Sequence, residues 1–283
     1  MEDKPHLPVI TVVTPSYNQG KYLEATIVSV LKQDYPNLEY LVIDGGSTDN
    51  SVDIIRQYSD QIHFWCSEKD DGQTDALTKG LRRSTGDILC WVNSDDILCA
   101  GALNTVATSL SLDTPGWLVG NSRQITASGG KGSKVRYAGE IELSTFFQYK
   151  YRWFAQPSVF WNRKMMDAAG HPDNQYNYIM DLDLFFRMYC VAPPVLANRI
   201  LSEYRIHGEA KTTRDALQVD QEYAAWMYQQ LRNMEAGSGE EILLDYIQLQ
   251  RSYRTLQEHP VISRVAKLWK KYVNKRIYID KRY

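Results

Sequence analysis

Three clusters of polar and acidic residues each follow a short apolar run. They occupy residues 15–20 (Pro-Ser-Tyr-Asn-Gln-Gly), 44–49 (Asp-Gly-Gly-Ser-Thr-Asp) and 93–96 (Asn-Ser-Asp-Asp). Carboxylate oxygens are preferred ligands of hard cations such as Mg²⁺ and Mn²⁺, and these cations also bind phosphates. A cation held by Asp95 would neutralise charge on a departing diphosphate. The alternative is that Asp95 and Asp96 cap a helix that begins at residue 97.

Asp44 opens the second cluster, and two interpretations of it stay open. The glycines after it permit a ligand to approach the backbone closely, so that Asp44 can accept a hydrogen bond from a base or a ribose. Asp44 can equally close a tight turn. No G-x-G-x-x-G or G-x-x-x-x-G-K-S/T motif occurs in the chain, which argues against a dinucleotide oxidoreductase and a P-loop enzyme.

The runs that precede the clusters have the composition of strands, and segments with helical spacing separate them. Strands are predicted at 9–14, 40–43, 62–66 and 88–92, and helices at 22–32, 52–55 and 75–83. This alternation indicates an α/β domain with a mostly parallel sheet, and such sheets bind ligands at the carboxyl ends of their strands. We therefore predict that the three clusters converge on one crevice.

The second half of the chain has a less regular pattern. Residues 121–140 are rich in Gly, Ser, Lys and Arg, which predicts a loop or a hairpin. A helix is predicted at 181–189 and an edge strand at 200–206, before His207. From about residue 215 the pattern is helical to the end.

Composition narrows the class of protein. The 283 residues carry a formal net charge of −2, which gives no reason to expect a nucleic acid as partner. No apolar stretch reaches the roughly 18–20 residues that cross a bilayer, and the first residues are polar. The four cysteines show no C-x-x-C spacing, and buried reduced thiols are the expectation. We therefore expect a cytoplasmic protein.

The ordered set of motifs resembles glycosyltransferase family 2. The resemblance covers roughly residues 8–210 and rests on segments 9–20, 44–49, 71–76 (Asp-Gly-Gln-Thr-Asp-Ala) with Lys79-Gly80, Gly86-Asp87, and 93–96. It implies the Rossmann-like GT-A fold of nucleotide-diphospho-sugar transferases, a nucleoside-diphosphate sugar donor, Mn²⁺ or Mg²⁺, and inversion at the anomeric carbon. The domains would be a catalytic domain at 1–212 and a helical extension at 213–283.

The resemblance also implies roles for individual residues. Asp181 would be the catalytic base, Asp95 and His207 would bind the metal, and Trp153 would contact the acceptor. The nucleotide sugar would be bound by Pro15, Tyr17, Asn18, Asp44, Asp71, Asp75, Asn93, Ser94 and Gln156.

This sequence departs from the family's pattern at two positions. Asn93 stands where the family's Asp-x-Asp motif opens, and Met180 stands where a Glu is usual. Other interpretations also stay open, because Asp181 and Asp183 can lie on a solvated helix start, His207 can be structural and Trp153 can pack in the core.

The last residues form a basic amphipathic segment. Residues 264–283 contain eight Lys or Arg and one Asp around an apolar stripe that includes Leu268 and Trp269. Residues 260–283 can lie on an anionic membrane, or the stripe can pack on the catalytic domain or on a partner, including a second copy. Membrane contact would place the protein at the inner face of the cell membrane.

These inferences predict an inverting glycosyltransferase. It would move a sugar from a nucleoside-diphosphate sugar, a UDP-sugar first of all, to a glycan or a lipid-linked sugar in bacterial surface polysaccharide or lipopolysaccharide assembly. The alternatives are a nucleotidyltransferase of sugar-nucleotide synthesis and a non-catalytic module that binds a sugar nucleotide or a glycan. The absence of a Q-x-x-R-W motif argues against a processive synthase.

Overall fold

The structure is a computed structural model that describes residues 7–147 and 154–233. The predicted acceptor residue Trp153 and the predicted basic helix at 260–283 lie outside the described residues. One compact unit ends at Val219 and a second begins at Asp220, within which Tyr223 and Trp226 stack with ring centroids 6.1 Å apart. No helix in the described ranges has the length and apolar character that would let it cross a bilayer.

The first half of the chain alternates strands and helices. In order they are β1 (Ile10–Ser16), α1 (Gly20–Leu31), β2 (Leu38–Asp44), α2 (Ser51–Gln57), β3 (Phe64–Ser67), α3 (Gln73–Arg83) and β4 (Ile88–Trp91). The four strands lie in the order β3-β2-β1-β4, and every neighbouring pair is parallel. The predicted parallel sheet is thus confirmed for this half.

The second half adds five strands to the same sheet. Its elements are β5 (Ile97–Leu98), α4 (Ala102–Ser109), β6 (Trp117–Thr126), β7 (Lys131–Arg136), α5 (Leu143–Phe146), a 3₁₀ turn (Gln156–Ser158), β8 (Val159–Asn162), α6 (Arg163–Ala169), α7 (Met180–Val191), β9 (Val195–Ile206), α8 (Lys211–Arg214) and α9 (Ala216–Asn233). In the described residues, eight of the nine strands run in the order β3-β2-β1-β4-β8-β6-β9-β5, and the ninth, β7, pairs with β6. Of the added pairings only β6 with β9 is parallel, so the whole sheet is mixed.

Two local predictions for this half were wrong. Residues 97–98 form strand β5 and not the start of a helix, which begins only at Ala102. Strand β9 is not at the edge, because β5 pairs with it antiparallel through Ile97 opposite Glu203. This pairing brings residues 93–96 beside the end of β9, where His207 follows. Residues 121–140 form the β6–β7 hairpin, one of the two forms expected.

Alternate residues of the central strands pack against helices on opposite faces of the sheet. Val12 and Cys90 share a buried cluster with Leu23 and Ile27 of α1, whereas Val13 lies against Gly80 of α3. A side-chain period of two along a strand produces this division. Of the cysteines predicted to be buried, Cys90 is buried, Cys66 and Cys99 are half-buried and Cys190 is exposed.

A cluster of large aromatic rings fixes α7 to the sheet. Phe185 stacks on Trp91 of β4 and Trp117 of β6, with ring centroids 5.9 and 6.1 Å apart. Trp161 of β8 meets Trp91 edge-on at 5.5 Å. Such pairs favour stacked and edge-to-face geometry. The packing holds the N-terminal turn of α7, which contains Asp181, at a fixed place relative to β4.

An ion pair gives α7 a second attachment. Asp183 is buried and lies 2.8 Å from Nη2 of Arg187 one turn later. Arg187 also donates hydrogen bonds to the carbonyls of Ala169, the last residue of α6, and of His171 just beyond it. Asp183 is therefore a structural carboxylate. The interpretation that it lies on a solvated helix start was wrong.

Glu39 of β2 is a buried carboxylate that stabilises the parallel half of the sheet. It accepts hydrogen bonds from the Thr11 hydroxyl and from the backbone N–H and hydroxyl of Thr85, the last two both at 2.8 Å. Burial alone would raise the pKa of Glu39, but these hydrogen bonds outweigh it and hold the pKa below its usual value.

Glu39→Gln is expected to lower the free energy of unfolding by about 1–3 kcal/mol at pH 7, because an amide cannot accept all three hydrogen bonds. Since the folded-state pKa is lowered, this stabilisation is present above the unfolded pKa of about 4.3 and is lost as the pH falls through the folded pKa. Urea unfolding between pH 3 and 7 measures it. Glu24→Gln, at an exposed position on α1, serves as control; an equal loss in both variants would contradict the prediction.

Candidate active site

The carboxyl ends of the parallel strands open into a cleft of about 750 Å³. All three predicted clusters reach it: the first contributes Pro15, Ser16, Tyr17 and Gln19, the second Gly45, and the third Asn93, Ser94, Asp95 and Asp96. The antiparallel half of the sheet and α7 supply the opposite wall. The site thus combines the strand ends of one half with the loops and helices of the other.

Asp95 and His207 form a close pair at this cleft. Nε2 of His207 lies 2.9 Å from Oδ2 of Asp95, and the two side chains are 3% and 21% exposed. The imidazole ring packs on Tyr22, with centroids 4.7 Å apart. Within the described part of the chain, Nδ1 of His207 is buried without a hydrogen-bond partner. The structure therefore brings together the two residues that the sequence analysis assigned to a metal.

Arg205 holds the backbone that carries Asp95. Its Nε donates to the Asp95 carbonyl at 2.8 Å, and its backbone N–H donates to Oδ1 of Asp96 at 2.9 Å. Its Nη1 donates to the carbonyl of Thr126 at 3.1 Å, at the turn of the β6–β7 hairpin. Burial, and next the Asp95 charge, raise the pKa of Asp96 well above its usual value. Arg205 was not anticipated from the sequence.

Asp181 lies in the first turn of α7 and lines the same cleft. Its Oδ1 accepts a hydrogen bond from the backbone N–H of Leu182 at 2.8 Å. The positive end of the helix dipole stabilises a carboxylate at this position. Met180, which replaces the family's usual Glu, is buried. Asp181 is thus the carboxylate that α7 presents to the cleft, while Asp183 is buried in its ion pair.

The predicted nucleotide-binding residues divide into two groups. Pro15, Tyr17, Asp71, Asn93, Ser94 and Gln156 line the cleft, and the Tyr17 side chain is 60% exposed there. Asn18, Asp44 and Asp75 are not among the residues that line it.

The three residues of the second group hold the loops around the cleft. Asp44 is buried and accepts hydrogen bonds from the backbone N–H of Ser47 at 2.9 Å and from the hydroxyl of Ser67 at 2.7 Å. Asn18 adopts a left-handed backbone conformation and accepts from the N–H of Thr48 at 2.8 Å. Asp75 pairs with Lys79 at 3.3 Å. As placed here, Asp44 closes a turn, the second of its two interpretations.

Several cleft residues were missed by the sequence analysis. They are Lys69, Asp70, Gln73, Arg136, Asn177, Tyr178, Tyr204, Glu209 and Arg214. Burial raises the pKa of Asp70, which faces Gly45 closely enough that a Cβ there would collide with its carboxylate. Asp70 directly precedes the 71–76 motif, so its position in the sequence was a signal that it lies at the site. For Arg136 and Tyr204, whose guanidinium carbon and ring centroid are 4.2 Å apart, no local signal existed.

The cleft has a mixed electrostatic character that suits a phosphorylated ligand. Asp95 and Asp181 supply negative charge, while Lys69, Arg136, Arg205, Lys211 and Arg214 supply positive charge along the wall. Diphosphates are bound by cations and by basic side chains. Fold and cleft together define an α/β protein with the architecture of nucleotide-sugar-dependent transferases.

The sequence matches the model of glycosyl transferase family 2 over residues 11–171, more than half of the chain. The chain belongs to this family. A candidate teichuronic acid biosynthesis glycosyltransferase, TuaG of Bacillus subtilis, is 39% identical over 92 residues, which cover 31% of this chain and 36% of that protein. An uncharacterized glycosyltransferase of Rickettsia typhi is 25% identical over 231 residues, 80% of this chain and 72% of that one. The match thus spans about a third of the Bacillus protein's length.

Solved glycosyltransferase structures share the fold. Staphylococcus aureus TarS in complex with UDP-GlcNAc matches with a TM-score of 0.61 at 17% identity, over 87% of this chain and 72% of that one. The mannosyltransferase PcManGT of Pyrobaculum calidifontis, in complex with GDP-Man and Mn²⁺, matches with a TM-score of 0.61 at 16% identity, over 95% and 81%. The expected GT-A fold is confirmed, and family and relatives support glycosyltransferase activity.

Proposed function

We propose that the protein is an inverting glycosyltransferase that moves a sugar from a nucleoside-diphosphate sugar, a UDP-sugar first of all, to an acceptor hydroxyl. The observation that carries this proposal is that the Asp95–His207 pair and Asp181 line or adjoin one cleft in a chain of glycosyl transferase family 2. The nucleotide sugars in the TarS and PcManGT complexes are consistent with such a donor.

Asp95 and His207 fit a divalent cation. A carboxylate oxygen and an imidazole nitrogen 2.9 Å apart can turn to one ion, and the same ion can also bind phosphate oxygens. When bound, Mn²⁺ or Mg²⁺ supplies positive charge against the diphosphate of the donor. Lys211 and Arg214 on the same wall add to this charge.

Asp181 acts as the general base in this proposal. An inverting transfer needs one group that takes the proton of the acceptor hydroxyl while its oxygen attacks the anomeric carbon. Asp181 has the chemistry for this step, because its carboxylate reaches the cleft from a helix that aromatic packing holds rigidly. A second carboxylate, as hydrolases use, is not required.

The nucleoside is assigned to the wall formed by Pro15, Tyr17 and Asp71. The exposed ring of Tyr17 has a free face for stacking on a base. In the same proposal Asn18, Asp44 and Asp75 act by holding the loops that border the nucleoside. Ser94, Asn93 and Gln156 would contact the ribose and the sugar from the floor of the cleft.

The acceptor is proposed to be a growing surface glycan or a lipid-linked sugar. Support comes from TuaG, whose name places it in teichuronic acid biosynthesis. Contact of residues 260–283 with the inner face of the membrane, acceptor contact by Trp153, and a homodimer belong to the same proposal and stay predictions. The nucleotidyltransferase and the non-catalytic module are outcomes of the test below.

A donor panel tests the proposal. The protein is incubated with UDP-, GDP- and dTDP-sugars in Mn²⁺, Mg²⁺ or EDTA, and release of nucleoside diphosphate is followed. Slow release from one donor that EDTA abolishes is the expected result. Release of pyrophosphate from a nucleoside triphosphate and a sugar phosphate would instead indicate a nucleotidyltransferase. Nucleotide binding without turnover would indicate the binding module, and neither binding nor turnover would refute the assignment of the cleft.

A further inference from the structure

Three amide side chains form a continuous row across the floor of the cleft. Nε2 of Gln156 donates to the backbone carbonyl of Trp91 at 2.8 Å. Nδ2 of Asn93 donates to Oε1 of Gln156 at 3.1 Å, and Nε2 of Gln73 donates to Oδ1 of Asn93 at 2.8 Å. The row joins the end of β4, the 3₁₀ turn and the start of α3, and all three side chains line the cleft.

The direction of this amide row is fixed by its anchor. The Trp91 carbonyl can only accept, so the nitrogen of Gln156 must face it and the oxygen of Gln156 must face Asn93. The nitrogen of Asn93 then points to Gln156, and its oxygen points to Gln73. Each amide therefore has one allowed orientation, although an isolated amide has two of nearly equal shape.

Asn93 occupies a position where a carboxylate does not fit the row. Its Nδ2 lies between two acceptors, Oε1 of Gln156 at 3.1 Å and Oδ2 of Asp96 at 3.5 Å. An ionised Asp there has no proton to donate to Oε1 of Gln156, whose direction the Trp91 carbonyl fixes. Rotation of Gln156 to offer its nitrogen would set its own oxygen against the Trp91 carbonyl. The row is thus matched to Asn at this position, where the family's motif has Asp.

We propose that the amide row is a positioning device for the nucleotide sugar, in which Gln73 and Gln156 act through Asn93 to fix which amide edges face the ligand. The inference rests on the proposed function of the cleft and adds Gln73, a residue of the 71–76 motif to which the sequence analysis gave no role. Pre-oriented polar groups lose little entropy when a ligand binds, so the row contributes to affinity and to alignment of the anomeric carbon.

The substitution Asn93→Asp restores the Asp of the family's motif, and the motif and the amide row predict opposite effects of it. A second carboxylate next to Asp95 would be expected to strengthen metal binding and activity. The amide row predicts the reverse, a fall in kcat/KM of about 30-fold or more with one measured donor, and weaker binding of its nucleoside diphosphate by calorimetry. Equal or higher kcat/KM in Asn93→Asp would overturn the inference.

A double-mutant cycle tests whether the row acts as a unit. Gln73→Met and Gln156→Met keep side-chain volume but remove the hydrogen bonds. Because each disturbs the same orientation of Asn93, the double variant is expected to lose little more kcat/KM than the worse single variant, a coupling of at least fivefold. In an Asn93→Ala background the coupling should vanish. Effects that multiply independently, or a coupling that persists without Asn93, would overturn the inference.

Two further readouts distinguish positioning from a purely structural role. Gln57→Met, exposed on α2, is the matched control and should keep wild-type kcat/KM. Gln73→Met and Gln156→Met should lose kcat/KM at a temperature where their melting curves show that they are fully folded. Lower melting temperatures with unchanged kcat/KM would overturn the positioning role. A wild-type protein without binding or turnover would refute the proposed function as well, whereas an active wild type with independent effects would refute this inference alone.

Discussion

Asp181→Asn is expected to lower kcat for glycosyl transfer by about 10²–10⁴-fold while the Kd for the donor's nucleoside diphosphate stays within about twofold. The amide keeps the size and the hydrogen bond to the α7 backbone, but it cannot take a proton from the acceptor hydroxyl. Steady-state assays with donor and acceptor measure kcat, and calorimetry measures the Kd for the nucleoside diphosphate. Turnover that survives the substitution would remove Asp181 from the role of base.

The same helix offers a matched control for this prediction. Asp183→Asn, two residues further on, breaks the buried pair with Arg187. We expect a lower melting temperature and near-normal kcat in the protein that remains folded, because removing one partner of a buried pair destabilises by several kcal/mol. The two variants should therefore show opposite patterns. Loss of kcat in both would indicate that α7 is merely displaced.

The parallel half of the sheet could be predicted from the sequence because its signals are local. Buried β-branched runs give β1 and β2, and apolar spacing gives α1 and α3, with bounds within about two residues of those observed for β1 and β4. The position of the cleft followed from the rule that parallel sheets bind ligands at the carboxyl ends of their strands. Local sequence thus specifies both the scaffold and the side of it that carries the site.

The errors arose where distant segments decide the local structure. Asp95-Asp96 has the character of a helix cap, but Ile97 instead pairs with Glu203 and Leu98 with Ser202, in a distant part of the chain. Non-local pairing of this kind has no local signature. The misplacement of β9 at the sheet edge has the same origin, since β5 covers it.

Residue type led the sequence analysis to several residues at the cleft, but it gave no signal for contacts that join distant segments. Asp95, Asp181 and His207 were identified, yet Arg205 was not, because its acceptors are backbone carbonyls at Asp95 and Thr126. Asn93 and Gln156 were identified separately. Their link through Gln73 depends on three elements that meet only in the folded chain. Asp44 carried both interpretations in the sequence, and burial with hydrogen bonds from Ser47 and Ser67 shows it closing a turn.

Asp95→Asn is expected to lower metal-dependent release of nucleoside diphosphate by about 10²–10³-fold. The substitution removes the charge that the proposed cation needs but keeps an oxygen near His207 and leaves the Arg205 hydrogen bond to the residue 95 carbonyl intact. Binding of Mn²⁺ should weaken in parallel. It is measured in the absence of nucleotide, by calorimetry and by the enhancement of water-proton relaxation that bound Mn²⁺ causes. Asp60→Asn, exposed beyond α2, is the control and should change neither quantity.

His207→Gln completes the argument, because it distinguishes a ligand from a residue that merely orients Asp95. If His207 binds the ion, its loss should weaken Mn²⁺ binding strongly in the wild-type background and should also weaken the binding that Asp95→Asn retains, since it removes a ligand of its own. If His207 only orients the carboxylate, Mn²⁺ affinity should fall by no more than about tenfold, roughly the 1.4 kcal/mol of one ordinary hydrogen bond, and the effect should disappear in Asp95→Asn, which has no carboxylate to orient. Undiminished Mn²⁺ binding in Asp95→Asn would place the ion elsewhere in the cleft and contradict the assignment of both residues.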